Sequence, residues 1–136
     1  MVERARIYAA VSTEELDLLY APATQRELAD LGELVVAGGS GPVEVPAGVA
    51  DEYDVLITSW STATFPPDRL RGSRLRLAVH SAGSVRKLFP REVLMDGTLR
   101  LAQGGSDAMA LPVAELAVTL TLALLRNLHT HDRGLQ

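Results

Sequence analysis

This sequence predicts an α/β fold built on a five-stranded parallel sheet, and three observations carry the prediction. Short runs of aliphatic and β-branched residues recur at 6–11, 34–37, 54–58, 75–79 and 98–102, a composition that suits a pleated, buried surface. The segments between them read as helices or loops, and such alternation implies parallel strands joined by right-handed crossovers. A long apolar stretch, 112–128, closes the pattern.

The first strand runs into Ser12-Thr13-Glu14-Glu15. This is a capping box: the Ser12 hydroxyl accepts an orphan helix N–H while Glu15 reaches back to the cap. A helix with Leu16 and Leu19 follows and is interrupted at Ala21-Pro22. Residues 25–31 add another turn or two before Gly32 stops them. The second strand is closed by Gly38-Gly39-Ser40-Gly41-Pro42, and 46–52 reads as a short helix or a loop. The third strand ends in the polar run 59–64, and Pro66-Pro67-Asp68 starts a helix, since proline is tolerated in a first turn. The fourth strand, a short helix at 90–95 and the fifth strand complete a flavodoxin-like sheet ordered 2-1-3-4-5. The expected division is a domain over 1–108 and a crossover helix over 109–136.

That closing helix is apolar nearly all round. At 100° per residue Glu115, Thr119 and Arg126 share one narrow stripe, and leucine, valine and alanine cover the rest. One small sheet cannot cover such a surface, so the helix expects another domain or a second copy of the chain. Its charged and amide residues make it a buried helix of a soluble protein instead of a membrane span.

Composition narrows the function. The chain has 136 residues, 47% of them hydrophobic, and a mean hydropathy of +0.12, which excludes disorder. With no cysteine, disulfides, thiolate catalysis and cysteine zinc sites are excluded. A net charge of -4 argues against nucleic acid and anionic membranes as partners. The amino-terminal apolar run is too short for a signal peptide, and a cytoplasmic protein is expected.

The loop Ser81-Ala82-Gly83-Ser84-Val85 follows the fourth strand. In open parallel sheets ligands bind beyond the carboxyl ends of the strands. Small side chains there let successive N–H groups cradle an anion; a tight strand-to-helix turn needs small residues equally. Trp60, after the third strand, either borders the same rim or packs under it. His80 invites a general-base role, although histidines at strand ends are mostly structural or exposed. His129 and His131 form a His-x-His pair without a third ligand, and no metal site is expected. Seven of the thirteen basic residues fall between Arg69 and Arg91; they are a solvated helix face or a positive rim that steers an anion.

Together, the Ser81-Ala82-Gly83-Ser84 loop, the following strand and Pro112-Val113-Ala114-Glu115-Leu116 opening a helix with Leu124-Leu125-Arg126 resemble the D-isomer-specific 2-hydroxyacid dehydrogenase family. The resemblance covers 54–128 well and 1–53 by architecture. It implies hydride transfer between NAD or NADP and a small 2-hydroxy or 2-oxo acid whose carboxylate rests on the backbone of Ser81, Ala82, Gly83, Ser84 and Val85. Trp60 would border the cleft, Met109 would stand near the substrate, and the 112–128 helix would lie near a subunit contact, giving a homodimer or a junction with a cofactor domain. The chain departs from the pattern in four respects. Val85 and Lys87 replace a second glycine and an acidic or amide residue. Met109 replaces an asparagine whose hydrogen bonds a thioether cannot make. No G-x-G-x-x-G follows a strand. The family's catalytic arginine, acid and histidine have no counterpart. The chain therefore reads as the substrate-side part of such an enzyme, inactive alone, or as a non-catalytic binding or dimerisation module derived from it. Two rivals fail on motifs: Ala9-Ala10-Val11 and Thr58-Ser59 lack the acids of a phospho-receiver, and 11–15 lacks a flavodoxin phosphate loop.

Overall fold

Residues 4–104 and 106–135 are described by the computed structural model. The chain divides into two compact units, Met1–Gly104 and Gly105–Gln136. The first holds strands β1 (Ala5–Ala10), β2 (Gly32–Val36), β3 (Val55–Thr58), β4 (Leu77–His80) and β5 (Arg100–Gln103), with helices α1 (Thr13–Leu19), α2 (Pro22–Leu31), α3 (Val49–Glu52) and α4 (Arg91–Met95) and a 3-10 turn, Pro67–Leu70. All strands are parallel, in the order β2-β1-β3-β4-β5. This is the flavodoxin-like arrangement the sequence predicts.

Register follows the pleat. Ile7 pairs with Leu34 on one side and Val55 on the other, and Val55 pairs with Leu77. Side chains alternate between two cores because successive Cβ atoms point to opposite faces. One face carries Ala10, Leu56 and Ala78, packed with Val45, Val49, Phe65, Leu70, Phe89 and Val93. The other carries Ile7, Ala9, Val11 and Ile57 beneath Leu16, Tyr20 and Leu28 of the α1–α2 segment.

Helix α2 stops at Gly32, as the sequence predicts, but the glycine is needed for a different reason. Its backbone is extended and it begins β2, while a Cβ there would stand 2.3 Å from the Ala5 carbonyl oxygen. Close strand approach, not a left-handed cap, requires the glycine.

The second unit contains α5 (Ser106–Leu125) and α6 (Leu128–Leu135). The helix expected to open at Pro112 begins at Ser106, with Pro112 inside it; the proline ring removes one backbone donor without ending the helix. Asn127, at φ 52, breaks the chain between the two helices, a conformation asparagine tolerates. α6 replaces the frayed end expected around His129 and His131, whose side chains lie outside the described residues. Leu111, Leu116, Leu120, Leu124 and Leu125 are exposed. Among the described residues no helix is long and apolar enough to cross a membrane.

Candidate functional site

The strand order puts the topological switch point between β1 and β3, where ligands of doubly wound sheets gather beyond the carboxyl ends. Three side chains knit that point together. Ser12 caps α1, its Oγ accepting from the Glu15 N–H at 3.2 Å, as the capping box predicts. The return contact differs from expectation. Glu15 Oε2 accepts from the Ser61 N–H at 3.0 Å and the Ser61 hydroxyl at 2.6 Å, and Ser61 Oγ in turn accepts from the Ser12 N–H at 2.9 Å. The glutamate thus ties the first helix to the loop after β3, with Ser61 as the intermediary.

That loop is internally bonded. Thr62 Oγ1 donates to the Ala10 carbonyl at 2.6 Å and accepts from the Ser59 N–H at 2.8 Å. An isolated parallel bridge joins Val43 to Thr62, and Ala63 N–H donates to the Val43 carbonyl. Above it lies an open depression of about 460 Å³, lined by Ser12, Glu15, Pro42, Trp60, Ser61 and Thr62 among others. Trp60 stands on its rim, 61% exposed. Ser59, directly before it, has a buried hydroxyl without a partner among the described residues.

The loop predicted to hold a carboxylate leaves the neighbouring strand β4. Two of its carbonyls and one hydroxyl are taken: Gln103 Nε2 donates to the Gly83 carbonyl, Leu88 and Phe89 N–H donate to the Val85 carbonyl, and the Tyr20 and Ser81 hydroxyls pair. Ser81 N–H donates to the Thr58 carbonyl at 2.9 Å. Among the described residues, the N–H groups of Ala82, Gly83, Ser84 and Val85 have no acceptor. A run of free backbone donors is the local chemistry that suits an anion. At Gly83 a Cβ would meet nothing within 4 Å, so the space over the loop is open.

Six of the seven residues of the basic cluster split between the two ends of the sheet, and Arg91 begins α4. Arg69, Arg71, Arg74 and Arg76 precede β4, and Arg74 pairs with Asp54 at 3.1 Å. Arg86 and Lys87 follow the loop, exposed and without an acidic partner among the described residues. Arg86 and Lys87, next in sequence to the free N–H groups, add positive charge beside them.

His80 is structural. It is 3% exposed, its Nδ1 lies 3.0 Å from Thr58 Oγ1, and its ring meets Phe89 edge-on. Burial holds its pKa below the ordinary value of 6.5, against an opposing pull from the Glu15 charge. The side chain of Met109 lies outside the described residues, so its place near a substrate is not described. Among the described residues, no group of three or more acids and histidines could hold a metal.

Nothing described fits a dinucleotide. The turn after β1 has no glycine, and Glu15 sets a carboxylate at the start of α1, where a phosphate would need the free N–H groups. Compared with protein-family profiles, curated proteins and solved structures, the chain matches none. The Glu15–Ser61–Ser12 tie and the β1/β3 depression are features of the site region that sequence reasoning did not assemble. The signal was present, since Glu15 and Ser61 stand beyond the ends of β1 and β3. Only the 2-1-3-4-5 order makes those ends neighbours.

Proposed function

We propose that this chain is the substrate-side part of an NAD(P)-dependent D-2-hydroxyacid dehydrogenase, and that residues 82–85 hold the carboxylate of a small 2-oxo or 2-hydroxy acid. The observation that carries the proposal is the run of four unpartnered N–H groups at the carboxyl end of β4. The flavodoxin-like sheet, the apolar helix after β5 and the unpaired Arg86 support it. Because the described residues do not fit NAD or NADP, no hydride-transfer step is assigned to them. Their share of the reaction is to bind and orient the acid.

The test is a titration of pyruvate into the isotopically labelled chain, followed by NMR. Amide shifts at 82–85, saturating at millimolar concentration, are expected. Shifts confined to other residues would make the loop a turn and nothing more. No turnover of 2-oxo acids with NADH or NADPH is expected from the 136-residue protein.

A second possibility, a non-catalytic binding or dimerisation module derived from the same family, is favoured by Lys87 and by the exposed leucines of α5. Each large apolar side chain left in water forgoes about 1.5–3 kcal/mol, and contiguous patches of them usually mark interfaces. A homodimer through 112–128, or a junction with a cofactor domain, would bury them. Light scattering that gives a monomer, unchanged by Leu120→Glu with Leu124→Glu, would count against association through this helix.

A further inference from the structure

The geometry points to a second ligand site at the β1/β3 switch point, one that takes a small organic ammonium ion between the Trp60 ring and the Glu15 carboxylate. The inference is independent of the carboxylate loop. It rests on the depression of about 460 Å³ over the ends of β1 and β3, which is lined by one carboxylate and by no lysine or arginine. Glu15 uses a single oxygen to hold Ser61; its Oε1 has no partner among the described residues. The negative charge is therefore fixed in place by one oxygen and presented by the other.

Trp60 supplies the second element. A tryptophan 61% exposed at a ligand-binding rim is costly to maintain in water. Its face is the strongest of the side-chain partners for a cation. Pro42 and Ala63 add apolar walls suited to an alkyl chain, and the Ser61 and Thr62 hydroxyls are already committed to the protein. A neutral polyol would gain no charge pairing with Glu15, and an anion would be repelled by it. An alkylammonium matches both the charge and the surface.

Trp60 is the chain's one tryptophan, so its fluorescence reports occupancy directly. Butylammonium chloride titrated into the full chain is expected to shift or quench Trp60 emission saturably at millimolar concentration. Equal concentrations of 1-butanol or sodium chloride should not. Glu15→Gln, which keeps an acceptor for Ser61, should weaken the response about tenfold or more. If that variant misfolds, Trp60→Leu followed by NMR decides, with the ammonium-induced amide shifts of 61–64 expected to vanish. A response absent from the wild type, matched by butanol, or unchanged in a folded Glu15→Gln protein would overturn the site. Pyruvate is expected to shift 82–85 and leave Trp60 unmoved, so either site can fail without the other.

Discussion

The loops after β3 and β4 leave adjacent strands of one sheet, yet they treat their backbone in opposite ways. After β3, the N–H groups of Ser59, Ser61, Thr62 and Ala63 all find acceptors within the protein. After β4, only Ser81 does so, and the next four do not. Buried backbone groups are nearly always paired, so the first loop has the character of framework. Its potential for binding lies in side chains, Trp60 and Glu15. The second has the Gly83 and Val85 carbonyls and Ser81 pinned by Gln103, Tyr20 and the chain itself, and its potential for binding lies in the backbone. Position on the rim is shared; what differs is which polar groups are left over.

The largest effect that would sharpen this contrast is on stability. Thr62→Val removes a hydroxyl that serves the Ala10 carbonyl and the Ser59 N–H, both at a residue only 8% exposed. Leaving two such groups unsatisfied should cost about 2–4 kcal/mol. Ser84→Ala, on the other loop, should change stability by less than about 0.5 kcal/mol. Urea denaturation measures both. Similar losses in the two variants would erase the distinction between framework and site.

A second test uses pH, because His80 stands between the loops and binds Thr58. Its folded pKa is depressed by burial, so the unfolded chain takes up a proton at pH values where the folded chain does not. Stability is therefore fully present above the ordinary value of 6.5 and falls as pH drops from there toward the lower folded value. Asp54 acts in a separate window. Burial pushes its pKa up, but the Arg6 N–H and the Arg74 guanidinium outweigh that and hold it below 3.8, so its contribution is lost only in stronger acid. His80→Gln, which keeps a partner for Thr58, should flatten the stability profile between pH 7 and 5. An identical slope in the variant would mean that His80 is not the group being titrated.

How far the sequence discloses this molecule depends on the range of the interaction. β-branched runs, prolines and the Ser12 cap are local signals, and they locate the strands and the helix starts of the first unit to within a few residues. Gly32 shows the limit: its neighbours in sequence place the helix stop correctly, whereas the reason that only glycine fits is Ala5 on the adjacent strand. Pro112 shows another, since a long apolar helix retains enough other bonds to absorb one missing donor. At the site, the small residues of 81–85 are visible in sequence because backbone access needs them. The Glu15–Ser61 tie spans 46 positions, and nothing local to either residue announces the other.

The smallest stability effect is the most informative about ligand binding. Gly83 is not among the glycines with positive φ, and the space where a Cβ would stand is empty. Gly83→Val should therefore fold normally, with stability changed by about 0.5 kcal/mol or less in either direction. The valine side chain would nonetheless stand beside the free N–H groups and keep a carboxylate from approaching them. The Gln103 contact is to the carbonyl of residue 83 and survives the change. The expected outcome is a protein with an unaltered urea midpoint whose 82–85 amides no longer respond to pyruvate. If those amides respond as in the wild type, the carboxylate is held elsewhere, and the unpaired donors after β4 are met by water alone.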